Sequence, residues 1–400
     1  MFSGAGMWTF IISSSWLVFE ASSSSGWVGI TTFAAMIPFL IASPIGGLLG
    51  DLFDRRRVTT ATFLIAAIVA AILAIITAIG RIELWHIAVL AFASGTVRSI
   101  QEPSLSALIP NQVPNDNLLN ALVLNSATRH GARFFGLLVA APLIASDSLG
   151  VEAVLALSAI SQIVGAILMS RVTTISTGET EDDHGILRSM FDGLIYIYSN
   201  HMLALFVILV AFHCALVMSF ESIMPVFSQQ NLGAPNASVF NSLMMSFGAG
   251  SLIGMMILAG VRDDRRKGQF LLITSVASAI SPILLATSTN VSMAILFSGL
   301  MGGVQATFMA LTNTYVQIMA PDRLRARISS LYILHAGGIM AFANLGYGFM
   351  ADAVTAPPIL ATTGVGFLIV VIALGSGQPK LRKVFRSGLV LSPPNFGESA

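Results

Sequence analysis

Apolar stretches long enough to cross a lipid bilayer follow one another along almost the whole chain. A membrane-spanning helix needs about 20 mostly apolar residues. Only 10% of the residues are charged, against about 25% in an ordinary soluble domain. We therefore predict an all-α membrane protein with twelve transmembrane helices, at residues 3–19, 27–50, 58–80, 84–108, 118–146, 151–170, 201–228, 237–261, 268–288, 291–319, 328–353 and 358–377.

Basic residues are distributed unevenly among the connections between these stretches. Sixteen of the 20 Lys and Arg residues fall on one side of the twelve-span scheme, and Arg81 falls on the other. Loops that remain in the cytoplasm carry an excess of Lys and Arg. The even-numbered connections and both termini are therefore predicted to be cytoplasmic, in a multi-pass protein of the cytoplasmic (inner) membrane.

A weak internal repeat divides the chain into two parts. "GDLFDRRR" follows the second span and "RDDRRK" follows the eighth, and Pro114 and Pro321 occupy matching places about 210 residues apart. Such a duplication predicts two pseudo-symmetric six-helix bundles, a layout found in transporters. The predicted parts are an N-terminal bundle at 1–170, a cytoplasmic linker with an amphipathic surface helix at 171–200, a C-terminal bundle at 201–377 and a cytoplasmic tail at 378–400.

The stretch "GGLLGDLFDRRRV", residues 46–58, concentrates charge at the end of the second span. Together with "EPSLSALIPNQVP", "LNSATRHGARFFG" and "MAPDRLRARISSLY", it resembles the major facilitator superfamily over nearly the whole chain. The branch that it resembles contains enterobactin-exporter-like and macrolide-efflux-like proteins. The superfamily's loop signature, G-x-L-a-D-r-x-G-r-k, is matched at Gly47, Leu49, Asp51, Arg55 and Arg56.

The chain departs from the superfamily's pattern at three places. Leu52 replaces a basic residue and Asp54 replaces a glycine of the signature, although the D-x-x-D-R-R-R form is itself typical of the branch. Superfamily antiporters often carry a Gly-Pro pair in the fifth span, where this chain has Gly136-Leu137. The missing proline weakens the assignment to export.

The charges of this stretch suggest a gate between the two halves. Gly46 and Gly50 allow a neighbouring helix to approach closely. Asp51 lies where the helix leaves the membrane, and it can reach a facing helix N-terminus, an arginine across the interface, or Arg55 four residues on. A plain cytoplasmic anchor is the alternative. The predicted gating residues are Gly47, Asp51, Asp54, Arg55 and Arg56.

Ionisable residues inside the predicted spans are expected to have a structural or functional role, because placing each one near the bilayer centre costs at least about 2.5–3.5 kcal/mol. Arg98 and Arg129 lie about 15–16 Å from the ends of their spans at about 1.5 Å per residue, near the midplane of a core about 30 Å thick. Glu102, four residues from Arg98, can complete a Glu102–Arg98–Arg129 cluster. A structural ion pair bracing the N-terminal bundle is the alternative, above all for Arg133.

Two carboxylates are candidates for proton coupling, Glu102 and Glu221, and Glu102 is preferred because Arg98 can modulate it. Three arginines facing one glutamate in the N-terminal bundle predict a substrate that brings negative charge.

Twelve of the 18 methionines lie between residues 218 and 350, where they suit a pocket for varied apolar shapes or simply fill gaps. Substrate-pathway candidates are Arg98, Asn125, Arg129, Arg133, His213, Gln305 and Asn313.

These features predict a secondary transporter that acts as a monomer in the bilayer and exports a small amphipathic compound in exchange for protons or another ion. An importer is an alternative, since the fold does not fix direction. A transport-inactive scaffold or sensor, or a membrane-embedded enzyme, is an alternative of another class. The histidines are scattered and no G-x-x-x-x-G-K-[ST] motif occurs. We therefore expect no catalysis, metal, cofactor or nucleic-acid partner.

Overall fold

The computed structural model of the protein describes residues 2–108, 128, 131–140, 143, 150–173, 186–234, 236–261, 263–321 and 325–388. These residues form helices joined by short turns. The α-helices are α1 Phe2–Ser22, α2 Ser25–Met36, α3 Pro38–Leu52, α4 Arg55–Ala78, α5 Leu84–Leu108, α6 Gly131–Ala140, α7 Gly150–Ser170, α8 Ile186–Ser199, α9 His201–His213, α10 Met224–Val226, α11 Ala237–Ala259, α12 Asp264–Ala286, α13 Val291–Met319, α14 Arg325–Ala353, α15 Ala356–Gly377 and α16 Pro379–Ser387.

The described helices agree with the predicted spans except at two breaks and one addition, and most of the fifth predicted span, 118–146, lies outside the described residues. Nine described stretches are long and apolar enough to cross a membrane. The second predicted span is two helices, because Pro38, which has no amide hydrogen, begins α3. The seventh is interrupted by π-helical turns at Cys214–Met218 and Phe227–Asn231 and a 3₁₀ turn at Glu221–Ile223. The unpredicted α16 buries Leu381, Val384 and Phe385.

Asp54 and Asp263 cap the N-termini of equivalent helices in the two halves. Asp54 accepts a hydrogen bond from the Arg56 amide at 3.0 Å and caps α4. Asp263 accepts one from the Arg265 amide at 3.1 Å and caps α12. The two caps lie about 210 residues apart, at the places where the repeated charged motifs stand.

The two ends of the bundle differ in how the halves meet. We call the end that carries Arg55–Arg57 and the start of α12 the basic face, and the opposite end the far face. Toward the far face, one apolar core combines side chains of both halves, and the rings of Trp16 and Phe240 stack across it at 5.8 Å. The second core among the described residues is drawn from residues 197–385 alone.

Two helix pairs join the halves by close backbone approach. A Cβ added to Gly29 of α2 would lie 2.9 Å from the Asn344 carbonyl oxygen of α14. A Cβ added to Gly248 of α11 would lie 2.9 Å from the Phe134 amide nitrogen of α6. Only a residue without a side chain fits at such separations. The halves are therefore tightly closed toward the far face, and among the described residues the joint core does not extend to the basic face.

Candidate functional site

A buried ion pair joins the two halves inside the membrane-spanning region. Arg133 lies on α6 of the N-terminal half, and Glu221 lies in the 3₁₀ turn of the C-terminal half. The Arg133 Nη2 is 3.2 Å from the Glu221 Oε1. The two residues are only 6% and 8% exposed. Charges at such positions are stable only when they are paired.

The break in the seventh span positions Glu221. The Ser219 hydroxyl donates to the Cys214 carbonyl at 2.7 Å, across the end of the π-helical turn. The Ser222 amide, next to Glu221, donates to the Asn344 Oδ1 of α14 at 3.2 Å. Irregular backbone at membrane depth needs such substitute partners for its polar groups. The Asn344 side chain therefore supports the turn that presents Glu221 to Arg133.

The Arg133 side chain also contacts aromatic rings of both halves. Its guanidinium carbon lies 4.4 Å from the ring centroid of Trp8 on α1 and 4.4 Å from that of Phe247 on α11. Its Nη2 lies 3.2 Å from the Met244 sulfur. Cation–π contacts of this kind contribute about 2 kcal/mol or more when desolvated. The guanidinium is thus held between a ring that belongs to its own half and a ring that belongs to the other.

This geometry corrects two interpretations of the sequence. Arg133 does not brace the N-terminal bundle alone, because its carboxylate partner belongs to the opposite half. The predicted surplus of positive charge also loses its basis for the described arginines, since Arg98 has Glu102 and Arg133 has Glu221. Asn125 and Arg129 lie outside the described residues. An acidic substrate therefore stays a prediction that depends on Arg129 alone.

Arg98 and Glu102 form the pair that their four-residue spacing predicts. The Arg98 Nε is 3.5 Å from the Glu102 Oε1, and the guanidinium carbon lies 4.6 Å from the Phe39 ring centroid. The Arg98 Nε, the Gln101 Nε2 and the Gln162 Oε1 are buried and make no hydrogen bond. All three residues line a cavity of about 20 Å³ within the N-terminal half. Such a cavity has room for about one water molecule.

The remaining pathway candidates lie within the C-terminal half. The His213 Nε2 is hydrogen-bonded to the Ser278 hydroxyl at 2.7 Å, and its ring lies against those of Phe308 and Phe367. The Gln305 Nε2 donates to the Val217 carbonyl at 3.4 Å. The Asn313 Oδ1 accepts from the Gln317 amide at 3.1 Å. His213 and Gln305 are fully buried, each with one hydrogen-bonded polar atom and one buried polar atom that makes no hydrogen bond, and their place on the substrate pathway stays a prediction.

The methionine-rich segment includes three residues that fill the joint core. Met224, Met244 and Met301 are fully buried within it. This placement favours gap filling over a flexible lining for these three residues.

The predicted gating stretch is partly described. The Asp54 carboxylate lies 3.4 Å from the Arg56 Nε, and the Arg56 Nη1 donates to the Val172 carbonyl at 2.9 Å, within the N-terminal half. Because α3 ends at Leu52, Asp51 and Arg55 belong to different helices, and the helical spacing proposed for them does not apply. The Asp51 side chain and the surroundings of Gly47 lie outside the described set.

A second polar link between the halves lies at the far face, and the sequence did not indicate it. The Asp352 carboxylate, in the last turn of α14, accepts hydrogen bonds from the Ser24 hydroxyl and from the amides of Ser25 and Gly26, the latter two at 2.6 and 3.0 Å. A carboxylate at a helix N-terminus satisfies unpaired amides and complements the helix dipole. Asp352 therefore caps α2 across the boundary between the halves.

Comparisons with known proteins give consistent matches. The major facilitator family described as "Transmembrane secretion effector" matches residues 1–385. "Macrolide efflux protein A" of Streptococcus pyogenes is 22% identical over 64% of this chain, and the match spans only 62% of that relative's length. "Multidrug efflux pump Tap" of Mycolicibacterium fortuitum is 21% identical over 82% of this chain and 81% of the relative.

The fold is also found among solved structures. A POT family transporter, crystallised in complex with a thioalcohol-conjugated peptide, aligns with a TM-score of 0.74 at 11% identity. The alignment covers 95% of each chain. At this identity the likeness concerns the fold alone.

Proposed function

The chain belongs to the transmembrane secretion effector family of the major facilitator superfamily, and on that premise we propose that it exports small amphipathic compounds by alternating access. The observation that carries the proposal is the closure of the far face by described residues of both halves. A joint core, the Asp352 cap and the Arg133–Glu221 pair close the far face. Among the described residues, the core that reaches the basic face is drawn from one half.

The charge distribution supports an orientation for this closure. Basic loops remain in the cytoplasm, so the basic face is proposed to be cytoplasmic and the far face extracytoplasmic, in the cytoplasmic membrane. A closed far face is the arrangement in which an exporter would collect substrate from the inside. Rocking of the two halves around a central site would expose that site to the other side.

The relatives support the proposed substrate class. Their names refer to the efflux of macrolides and of multiple drugs. We propose a small amphipathic compound as the substrate and protons as the coupling ion. The proposed working unit is the monomer. Glu102 and Glu221 are the proposed coupling candidates.

Accumulation in inverted membrane vesicles tests this function. Vesicles containing the protein are energised with an acid-inside proton gradient and offered a macrolide, a lipophilic cationic drug and a siderophore. Export predicts gradient-dependent accumulation of at least one compound, abolished by a protonophore. If all compounds enter at the rate of vesicles without the protein, or if loaded compound leaves the inverted vesicles through it, the proposal is refuted.

A further inference from the structure

We propose that the start of α12 and the short helix α16 form a binding site for an anionic phospholipid. The phosphate group lies among exposed basic side chains, and the acyl chains lie along the outer surface of α12 and α15. The inference does not depend on the direction of transport or on the coupling ion. The basic residues, which we call the basic corner, are Arg265, Arg266, Lys380, Lys383 and Arg386.

The sequence of α16 turns its cations away from the protein. At 3.6 residues per turn, Leu381, Val384 and Phe385 share one side of the helix, and all three are buried. The remaining side carries four exposed basic residues, Lys380, Arg382, Lys383 and Arg386. Because the protein itself covers the apolar side, the surface that α16 offers to its surroundings is a charged one.

Close backbone contact holds α16 against the first turns of α12. A Cβ added to Gly268 of α12 would overlap the Val384 carbonyl oxygen, and one added to Gly388 would overlap the Asp264 carbonyl oxygen. Gly388 also has a φ of 77°, which glycine adopts without strain. The cations of α16 and the two arginines at the start of α12 therefore form one surface.

The charged groups beside the basic corner already have partners. Asp263 accepts from the Arg265 amide as the N-cap of α12, and the Asp264 carboxylate is 2.9 Å from the Lys267 Nζ. Arg382 donates to two carbonyl groups at the end of α15, so it is not counted in the corner. Among the described residues, none of the five corner cations forms an ion pair. The corner thus offers unpaired positive charge to a phosphate group.

The surface that continues from the basic corner is apolar and faces outward. Both α12 and α15 can span a membrane, and they pack against each other and against other elements of their own half. Arg266, Ile273 and Ile280 follow one another at seven-residue intervals, so they share one face of α12, and all three are exposed. On α15, Ile369 and Ile372 are exposed, and Ile372 lies about 7.5 Å from the end of the helix at about 1.5 Å per residue.

A phospholipid matches both parts of this surface. Acyl chains contact the exposed isoleucines, and an anionic headgroup at the end of the same stripe meets the basic corner. Clusters of Lys and Arg next to a spanning helix attract anionic lipids. A soluble phosphate compound fits the cations and leaves the apolar stripe unused. The combination of charge and outward apolar surface therefore favours a lipid.

Titration of the purified protein in detergent with phosphatidylglycerol tests the site, and native mass spectrometry counts the bound lipid. Phosphatidylcholine, which has no net charge, should bind more weakly. The double variant Lys383→Gln with Arg386→Gln is expected to weaken phosphatidylglycerol binding by about 30-fold, about fivefold for each cation. Lys383→Arg with Arg386→Lys keeps the charge and should keep the binding.

The matched control removes the same charge from the other half. Arg57 and Arg171 are exposed at the basic face of the N-terminal half, and Arg57→Gln with Arg171→Gln should change the binding little. An equal loss in both glutamine variants overturns the proposal, because general attraction to a basic face would then explain the binding.

Two further results would contradict a lipid site at the basic corner. One is unchanged phosphatidylglycerol binding in Lys383→Gln with Arg386→Gln. The other is displacement of the lipid by an equal concentration of glycerol 3-phosphate, which carries the headgroup charge without acyl chains and is expected not to compete. Such displacement would identify a site for soluble phosphates. Binding that is selective for phosphatidylglycerol, lost in the corner variant and kept in the control, supports the proposal.

Discussion

Asp352 accepts a hydrogen bond at 2.6 Å from the Ser25 amide, although α14 and α2 belong to opposite halves of the protein. Together with the bonds from Ser24 and Gly26, this contact adds a carboxylate cap from α14 to the N-terminus of α2, which Ser24 also caps through the Trp27 amide. The bonds from Asp352 are lost when the two halves part, whereas the Ser24 cap remains. The closed far face is thus stabilised by up to about 0.5–2 kcal/mol, the usual contribution of an N-cap.

Asp352→Ala is therefore expected to shift the protein toward the open far face. The native Cys214 is buried and is replaced by serine, and Ala237, buried in the joint core, is replaced by cysteine as a reporter. The rate at which a membrane-impermeant maleimide labels this cysteine should rise in Asp352→Ala. Asp352→Glu, which keeps the carboxylate, is the control and should show a smaller rise. Equal labelling rates with and without the Asp352 carboxylate would show that the cap does not hold the face closed.

The paired helix caps predict a symmetric effect on stability. Asp54→Ala and Asp263→Ala should each lower the free energy of unfolding by about 0.5–2 kcal/mol, because each removes the acceptor for the first amides of its helix. Thermal unfolding in detergent measures both. Asp264→Ala, next to the second cap and exposed, is the matched control with a small expected effect, since surface ion pairs contribute little. If one cap variant lowered the free energy of unfolding and the other raised it, the two caps would not be equivalent.

The gating role of "GDLFDRRR" remains a prediction from the sequence. Asp51→Asn should strongly reduce transport while leaving folding and membrane insertion intact, because it removes charge at the end of the helix and little volume. Transport and surface expression are measured in parallel, with Asp54→Asn as a neighbouring variant. Full transport by a normally expressed Asp51→Asn protein would leave the stretch with only an anchoring role.

His213 is expected to matter for stability and not for substrate choice. His213→Leu removes the hydrogen bond to Ser278 and should cost about 0.5–1.5 kcal/mol. The relative transport rates of different compounds should be unchanged, because the ring is enclosed by Phe308 and Phe367 within one half. A changed order of preferred compounds would place His213 on the substrate pathway.

Sequence patterns predicted most of the fold because the bilayer imposes helix length and apolarity. The spans and the Arg98–Glu102 pair depend on local spacing, and the repeat depends on similar motifs about 210 residues apart. The Arg133–Glu221 pair was missed because its partners lie 88 residues apart and meet only through the packing of two bundles. Glu221 was placed near the end of a regular span, whereas the π-helical and 3₁₀ turns redirect it inward. Asp352 was missed for the same reason, since its partners are backbone amides.

The distance across the far face tests the central claim most directly, and it needs no knowledge of the substrate. Spin labels at Arg81 and Thr289, exposed in far-face loops of opposite halves, report this distance by pulsed electron resonance in a Cys214→Ser background. The account predicts that Glu221→Gln moves the distribution to longer distances, because the ion pair that joins the two halves is lost. The exposed Glu20→Gln is the control and should leave the distribution unchanged. A Glu221→Gln distribution identical to that of the unsubstituted protein would contradict the account.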